Sequence, residues 1–125
     1  MPEQSPPLSV ISDQHVRIVE FTFSKILDEA NIAGIGDTIK ALIDELPKPS
    51  ILLDFSSVDH LSSAALGMLI NVNILIKKKN GEFRLCCIKP QIYEVFRITK
   101  LDKLFHILPG RKEALASFTG YRAAS

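Results

Sequence analysis

The sequence carries almost no net charge. Fifteen Lys and Arg against fourteen Asp and Glu leave +1 over 125 residues, so no electrostatic footprint points to nucleic acid or to an anionic membrane surface. Lys77-Lys78-Lys79 is the one basic run, and cations there complement the dipole at a helix C-terminus. Cysteine is scarce as well, with only Cys86 and Cys87. As neighbours in a strand they point to opposite faces, which predicts that they neither bridge each other nor chelate one metal together. Such cysteine usage reads as cytoplasmic and reduced. No window is long and apolar enough to span a bilayer, which argues against direct membrane insertion. Residues 1–7 lack the basic and apolar regions of a secretory signal and read as a disordered leader.

The arrangements that mark an enzyme are missing too. There is no Gly-x-Ser-x-Gly elbow, and Asp59, His60 and Ser63 are near neighbours in one loop, where triad geometry is seldom reached. His15 and His106 show no ligand spacing. Gly34 and Gly36 lack the Lys-Ser/Thr partner of a phosphate loop. These absences predict no catalysis, no metal site and no cofactor of the chain's own.

What is present is ordinary for one globular domain: 46% apolar and 23% charged residues, in a chain long enough to bury about two thirds of its unfolded surface. Leu8 to Ile11 and Val16 to Phe23 read as strands joined by a turn at Ser12-Asp13-Gln14. Ser24 to Asp28 follows as a loop. Asn31 is placed to cap a helix whose buried stripe is Ile35, Ile39, Leu42, Ile43 and Leu46, and Pro47 ends it. Ile51 to Phe55 is a short β-favouring run that suits a central strand. A second helix carries Ala65, Leu66, Leu69, Val72 and Ile76 inward and stops at Asn80-Gly81, with Gly81 suited to the left-handed position. Glu82 to Ile88 reads as a strand, and Pro90 opens a helix burying Ile92, Val95 and Phe96. Leu104 to Leu108 is a last short strand, and Pro109-Gly110 leads into a helix running to about Phe118. The spacing of Phe83, Phe96, Phe105 and Phe118 fits core filling. The order ββαβαβαβα predicts an α/β domain over residues 8–119, with 120–125 frayed.

The most informative stretch runs from Ile51 to Ile70: a buried strand, a short polar loop, then an apolar helix that opens on two adjacent serines. A serine at that junction lies beside the unpaired N–H groups of a helix start, where the macrodipole favours negative charge. Ser62 and Ser63 are therefore either helix caps or a place where a phosphate is tolerated.

The same stretch resembles the signature of the anti-sigma factor antagonist family, the STAS domain. In that family a strand ending Asp-Leu-Ser leads to Asp-Ser-Ser-Gly-Leu-Gly at a helix start. Here the strand reads Leu53-Asp54-Phe55-Ser56 and the helix start reads Ser62-Ser63-Ala64-Ala65-Leu66-Gly67. Ser63 falls on the phosphorylatable serine, Ser62 stands for the family's aspartate, Ala64 for its second serine, and Ala65 for a glycine. Asn80 to Phe105 resembles the family's second half, and the matching segments together run from about Val16 to Phe118.

The resemblance implies a central mixed β-sheet with helices packed mainly on one face. It also implies a partner switch. The unmodified domain binds an anti-sigma factor of the histidine-kinase-like ATPase type, freeing a sigma factor for transcription. Phosphorylation of Ser63 weakens that binding and a serine phosphatase restores it. The implied partner-facing residues are Asp28, Asp54, Ser56, Ser57, Asp59, His60, Ser62, Ser63, Ala64 and Gly67, and any nucleotide belongs to the partner. The other reading is a STAS interaction subunit of a transport or signalling assembly that does not switch.

Overall fold

The fold was described from a computed structural model, which covers residues 8–22, 25–26 and 29–123. Strand β1 (Leu8–Asp13) turns at Gln14-His15 into β2 (Val16–Phe21). The turn is shorter than the sequence suggested: Asp13 still pairs with Val16, and Gln14 takes the reversal at φ 58°. Then come β3 (Lys25–Ile26), α1 (Glu29–Glu45), β4 (Ser50–Asp54), β5 (His60–Leu61), α2 (Ser63–Lys78), β6 (Glu82–Cys86) and α3 (Pro90–Ile98). A single 3₁₀ turn at Leu101–Lys103 precedes β7 (His106–Leu108) and α4 (Arg111–Ala116). Apart from the two-residue strands β3 and β5, the order is the one read from the sequence.

Five strands form one sheet in the order β1-β2-β4-β6-β7, with β1 antiparallel and the rest parallel. All five residues of β4 are buried, as a parallel strand covered on both faces must be. On one face α1, α2 and α3 pack over Val19, Phe21, Ile51, Leu53, Phe55, Phe83 and Leu85. Phe96 of α3 meets Phe55 and Phe105 edge-on, with ring centres 6.4 and 5.8 Å apart. On the other face, among the described residues, α4 and the residues after it cover Val16, Ile18, Leu52 and Cys86, through Ala114, Leu115 and Phe118. Phe118 is thus core, but of the opposite face from the other three phenylalanines, and it lies 5.0 Å beneath the Arg84 guanidinium.

Several local expectations are corrected by these elements. Helix α1 begins at Glu29, so Asn31 is inside it and does not cap it. Asn80, not Gly81, takes the left-handed conformation, at φ 58°. Gly81 is required for space, since a Cβ there would sit 2.2 Å from the Pro49 carbonyl oxygen. Lys77 and Lys78 lie in the last turn of α2, whereas Lys79 reaches across to donate to the carbonyls of Ile43, Asp44 and Leu46 at the end of α1. Of the terminal residues, Tyr121 and Arg122 are tied to the β1–β2 turn. Tyr121 Oη donates to Asp13 at 2.8 Å, and Gln14 exchanges two hydrogen bonds with the Arg122 backbone. Among the described residues, no helix is long and apolar enough to cross a membrane.

Candidate functional site

The loop between β4 and α2 is held at each step by a defined contact. Phe55 N–H continues the strand ladder to the Cys86 carbonyl at 3.0 Å, and Val58 N–H closes a turn onto Phe55 at 2.9 Å. Val58 is buried and anchors the loop, while Ser56 and Ser57 at its tip are exposed. Asp59 forms an ion pair with Lys89, the residue at the N-cap position of α3. His60 and Leu61 then pair in parallel with Lys25 and Ile26. This two-stranded ribbon, too short to stand out in sequence, brings the segment after β2 against the loop.

Ser62 is the N-cap of α2, with extended backbone (φ −84°, ψ 165°). Its Oγ accepts from Ala65 N–H at 3.2 Å and its carbonyl accepts from Leu66 N–H at 3.1 Å. Capping therefore falls to Ser62, and Ser63 is the first helical residue, exposed to solvent. Ala64 and Gly67 are exposed beside it. The first turn of α2 holds no acidic residue, so the positive end of the helix dipole is uncompensated there. Gly67 answers no steric demand of the fold, because a Cβ built on it meets nothing within 4 Å. Beside this surface, a groove of about 370 Å³ runs between α1 and α2, lined by Ile32, Gly36, Met68, Val72 and Leu75 among others.

One of the implied contact residues falls elsewhere. Asp54 does not join Asp59 in a surface cluster: only 5% of it is exposed. One of its oxygens accepts from Ser56 N–H at 2.8 Å, and the other accepts from both Nε and Nη2 of Arg111, at 3.0 and 2.7 Å. The same guanidinium also pairs with Glu20. Burial pushes the Asp54 pKa up, but the Ser56 hydrogen bonds and Arg111 outweigh it, and the carboxyl ends below its ordinary value. Asp54 thus shapes the loop from beneath. Asp28 lies outside the described residues. Ser56, Ser57, His60, Ser63, Ala64 and Gly67 are exposed and Asp59 and Ser62 half-buried, along one continuous run of chain.

Arg111 and Lys89 were not singled out in the sequence, though a signal existed. Each is a cation at the start of a helix, where the dipole disfavours it. A base in such a place calls for a nearby carboxylate, and Asp54 and Asp59 supply one each. The cysteines also depart from the alternating pattern. Strand β6 ends at Cys86, and Cys87 turns out of it at φ 61°. Its thiol therefore lies on the same side as that of Cys86, and both sulfurs and an Asp54 oxygen are within 4.8 Å of one another. Burial, then Cys87 and Asp54, push the Cys86 thiol pKa well above its usual value.

The STAS domain family model matches residues 9–114. The chain is 29% identical over 93 residues to BtrV of Bordetella bronchiseptica, whose name places it with the anti-sigma factor antagonists, covering 74% of this chain and 79% of that one. An anti-sigma-factor antagonist (STAS) domain protein from Planctomyces limnophilus superposes with a TM-score of 0.80 at 25% identity, over 88% of this chain and 96% of that one. An anti-sigma factor antagonist from Mycobacterium paratuberculosis gives 0.76 at 25% identity, over 89% and 92%. The chain belongs to the STAS domain family, and these relatives within it are named as anti-sigma factor antagonists.

Proposed function

We propose that this protein is a cytoplasmic anti-sigma factor antagonist that works by partner switching. The unmodified domain binds an anti-sigma factor of the histidine-kinase-like ATPase type. The docking surface is the loop 56–61 and the first turns of α2 from Ser62 to Met68, with Asp28 assigned to it from the family resemblance alone. Binding frees a sigma factor to direct transcription. Phosphorylation of Ser63 by the partner reverses it: the Ser63 Oγ–P bond forms as the β–γ bond of ATP breaks, the hydroxyl proton leaves to base or water, and ADP departs. A serine phosphatase restores the hydroxyl.

The observation that carries this reading is the division of labour between the two serines. Ser62 makes the capping bond, which leaves Ser63 exposed at the first helical position of a turn without acidic residues. A phosphate there adds about 1.5–2 negative charges beside a positive helix end. The fold tolerates the modification, while a partner seated on Ala64 and Gly67 meets new bulk and charge. The missing aspartate before Ser63 is thereby offset, since Ser62 accepts the same capping bond without a charge.

The test is phosphosite mapping by mass spectrometry on protein from its native cells, beside a Ser63→Ala form. Phosphate on Ser63, with an ATPase partner retained only by the unmodified fraction, is the expected result. A partner that co-purifies while Ser63 stays unmodified across growth conditions would overturn the switch in favour of a constitutive STAS binding subunit.

A further inference from the structure

On the α4 side of the sheet, at the carboxyl ends of the central strands, two soft donors and one anionic donor converge. Cys86 pairs directly with Asp54 in the β4–β6 register, and both are buried. Cys87 joins them only because its backbone is left-handed, a conformation cysteine seldom takes. Four described residues other than glycine have positive φ: Gln14, Asn80, Cys87 and Lys100. Gln14, Asn80 and Lys100 are exposed, whereas Cys87 is half-buried and carries its thiol back toward Cys86. Strain held at a partly buried residue with a reactive side chain marks a place where orientation matters more than backbone comfort.

We propose that Asp54, Cys86 and Cys87 form a binding site for a thiophilic divalent cation of the zinc class. The two thiolates and one carboxylate oxygen supply three ligands, and a water molecule would supply the fourth. Zn–S bonds of ~2.3 Å place two sulfurs about 3.8 Å apart on a tetrahedral ion. The three donor atoms lie within 4.8 Å of one another, so side-chain movements of about 1 Å close the site. Two thiol protons pass to solvent as two metal–sulfur bonds form, and Asp54 binds as the carboxylate it already is. The charges balance in the same direction. Arg111 is shared between Glu20 and Asp54, which leaves the pocket one unit negative before either thiol ionises. A dication then offsets the two thiolates. The outer shell is already built, because Ser56 N–H and Arg111 orient the Asp54 carboxylate.

The experiment is a titration of the full chain, kept reduced by a non-chelating phosphine, with Co²⁺ as spectroscopic probe and Zn²⁺ as competitor. The expected result is one equivalent of Co²⁺ with a thiolate-to-cobalt charge-transfer band in the near ultraviolet, abolished by one equivalent of Zn²⁺. Cys87→Ala lowers the affinity at least about 100-fold, beyond the loss of an outer-shell partner alone. Cys87→Gly does the same while fitting the left-handed backbone better than cysteine, so its fold, checked by circular dichroism, separates lost ligation from lost structure. Absence of the charge-transfer band in the native chain, or unchanged Co²⁺ affinity in a folded Cys87→Gly protein, would overturn the site.

Discussion

Helices α2 and α4 both start at the carboxyl edge of the sheet, yet they begin in opposite ways. Helix α4 opens on Arg111, a cation at the unfavourable end of a dipole, clamped between Glu20 and Asp54. Helix α2 opens on two serines and two alanines, with one neutral capping bond and no charge in its first turn. At α4 electrostatics is consumed in holding the fold: that face carries only a thin apolar layer of Ala114, Leu115 and Phe118, and ion pairs supplement it. At α2 the apolar stripe of Ala65, Leu69, Val72 and Ile76 is sunk into the main core, and the helix start is left electrostatically open. Under the proposed switch, a phosphate on Ser63 would meet the second arrangement, which takes added negative charge without breaking an ion pair.

The largest effect should come from breaking the α4 clamp. Asp54→Ala removes a buried carboxylate, leaves the Ser56 N–H without its acceptor and leaves Arg111 with Glu20 alone. Removing one partner of a fully buried pair costs about 3–5 kcal/mol. Arg111 is one third exposed, so water screens part of this and about 2–3 kcal/mol is expected. Urea unfolding at neutral pH checks it, with the slope m unchanged. The same mutation at the α2 start has no counterpart, since no charge is bound there.

The clamp also makes a pH prediction. The folded Asp54 pKa lies below its ordinary value of 3.8, so its contribution to stability is fully present above that value. It is lost as pH falls through the lower folded pKa. Glu82, whose pKa is lowered from 4.5 against burial by hydrogen bonds from Thr119 and by Arg84, acts in the same direction. Stability measured from pH 5 downward should fall more steeply in the native chain than in Arg111→Met, which has no cation to stabilise the carboxylate. Equal slopes would show that the clamp is not coupled to folding.

The next effect in size belongs to Ser62. Ser62→Ala deletes the one side-chain acceptor at the start of α2 and should cost about 1 kcal/mol. Ser62→Asp keeps an acceptor and adds charge at the positive helix end, which should stabilise by roughly 0.3–1 kcal/mol. Thermal unfolding of the two variants against Ser63→Ala, expected to lie within about 0.5 kcal/mol of the native chain as an exposed surface change, would separate the capping serine from its neighbour. A Ser63→Ala loss as large as that of Ser62→Ala would contradict this division of roles.

Much of this contrast is legible in the sequence where the signal is periodic. The all-buried run of β4, the stripe of α2 and the order of elements follow from spacing, and the serine pair marks the helix start. The loop residues around Ser63 lie together because they are contiguous in sequence, though Val58 is buried and Asp59, Leu61 and Ser62 are half-buried. What escapes is whatever depends on a single backbone angle or on residues far apart. The left-handed Cys87 undoes the alternation that should separate its thiol from Cys86. The Asp54–Arg111 bond spans 57 positions, and without it Asp54 reads as one more surface acid. The ribbon of Lys25–Ile26 with His60–Leu61 is too short for any period to register.

The smallest effect on stability, at Gly67, sharpens the comparison most. Gly67 sits within α2, exposed, with room for a methyl group. On stability alone it is a poor choice, and Gly67→Ala should stabilise the isolated domain by roughly 0.5–1 kcal/mol. If α2 differs from α4 because a partner's backbone lies against its first turns, the same methyl group should weaken binding of the anti-sigma factor by about tenfold, or 1.4 kcal/mol. Unfolding measurements and calorimetric titration with the partner read the two effects separately. A variant that gains stability and binds as before would move the docking surface off this turn, and leave the open start of α2 in need of another explanation.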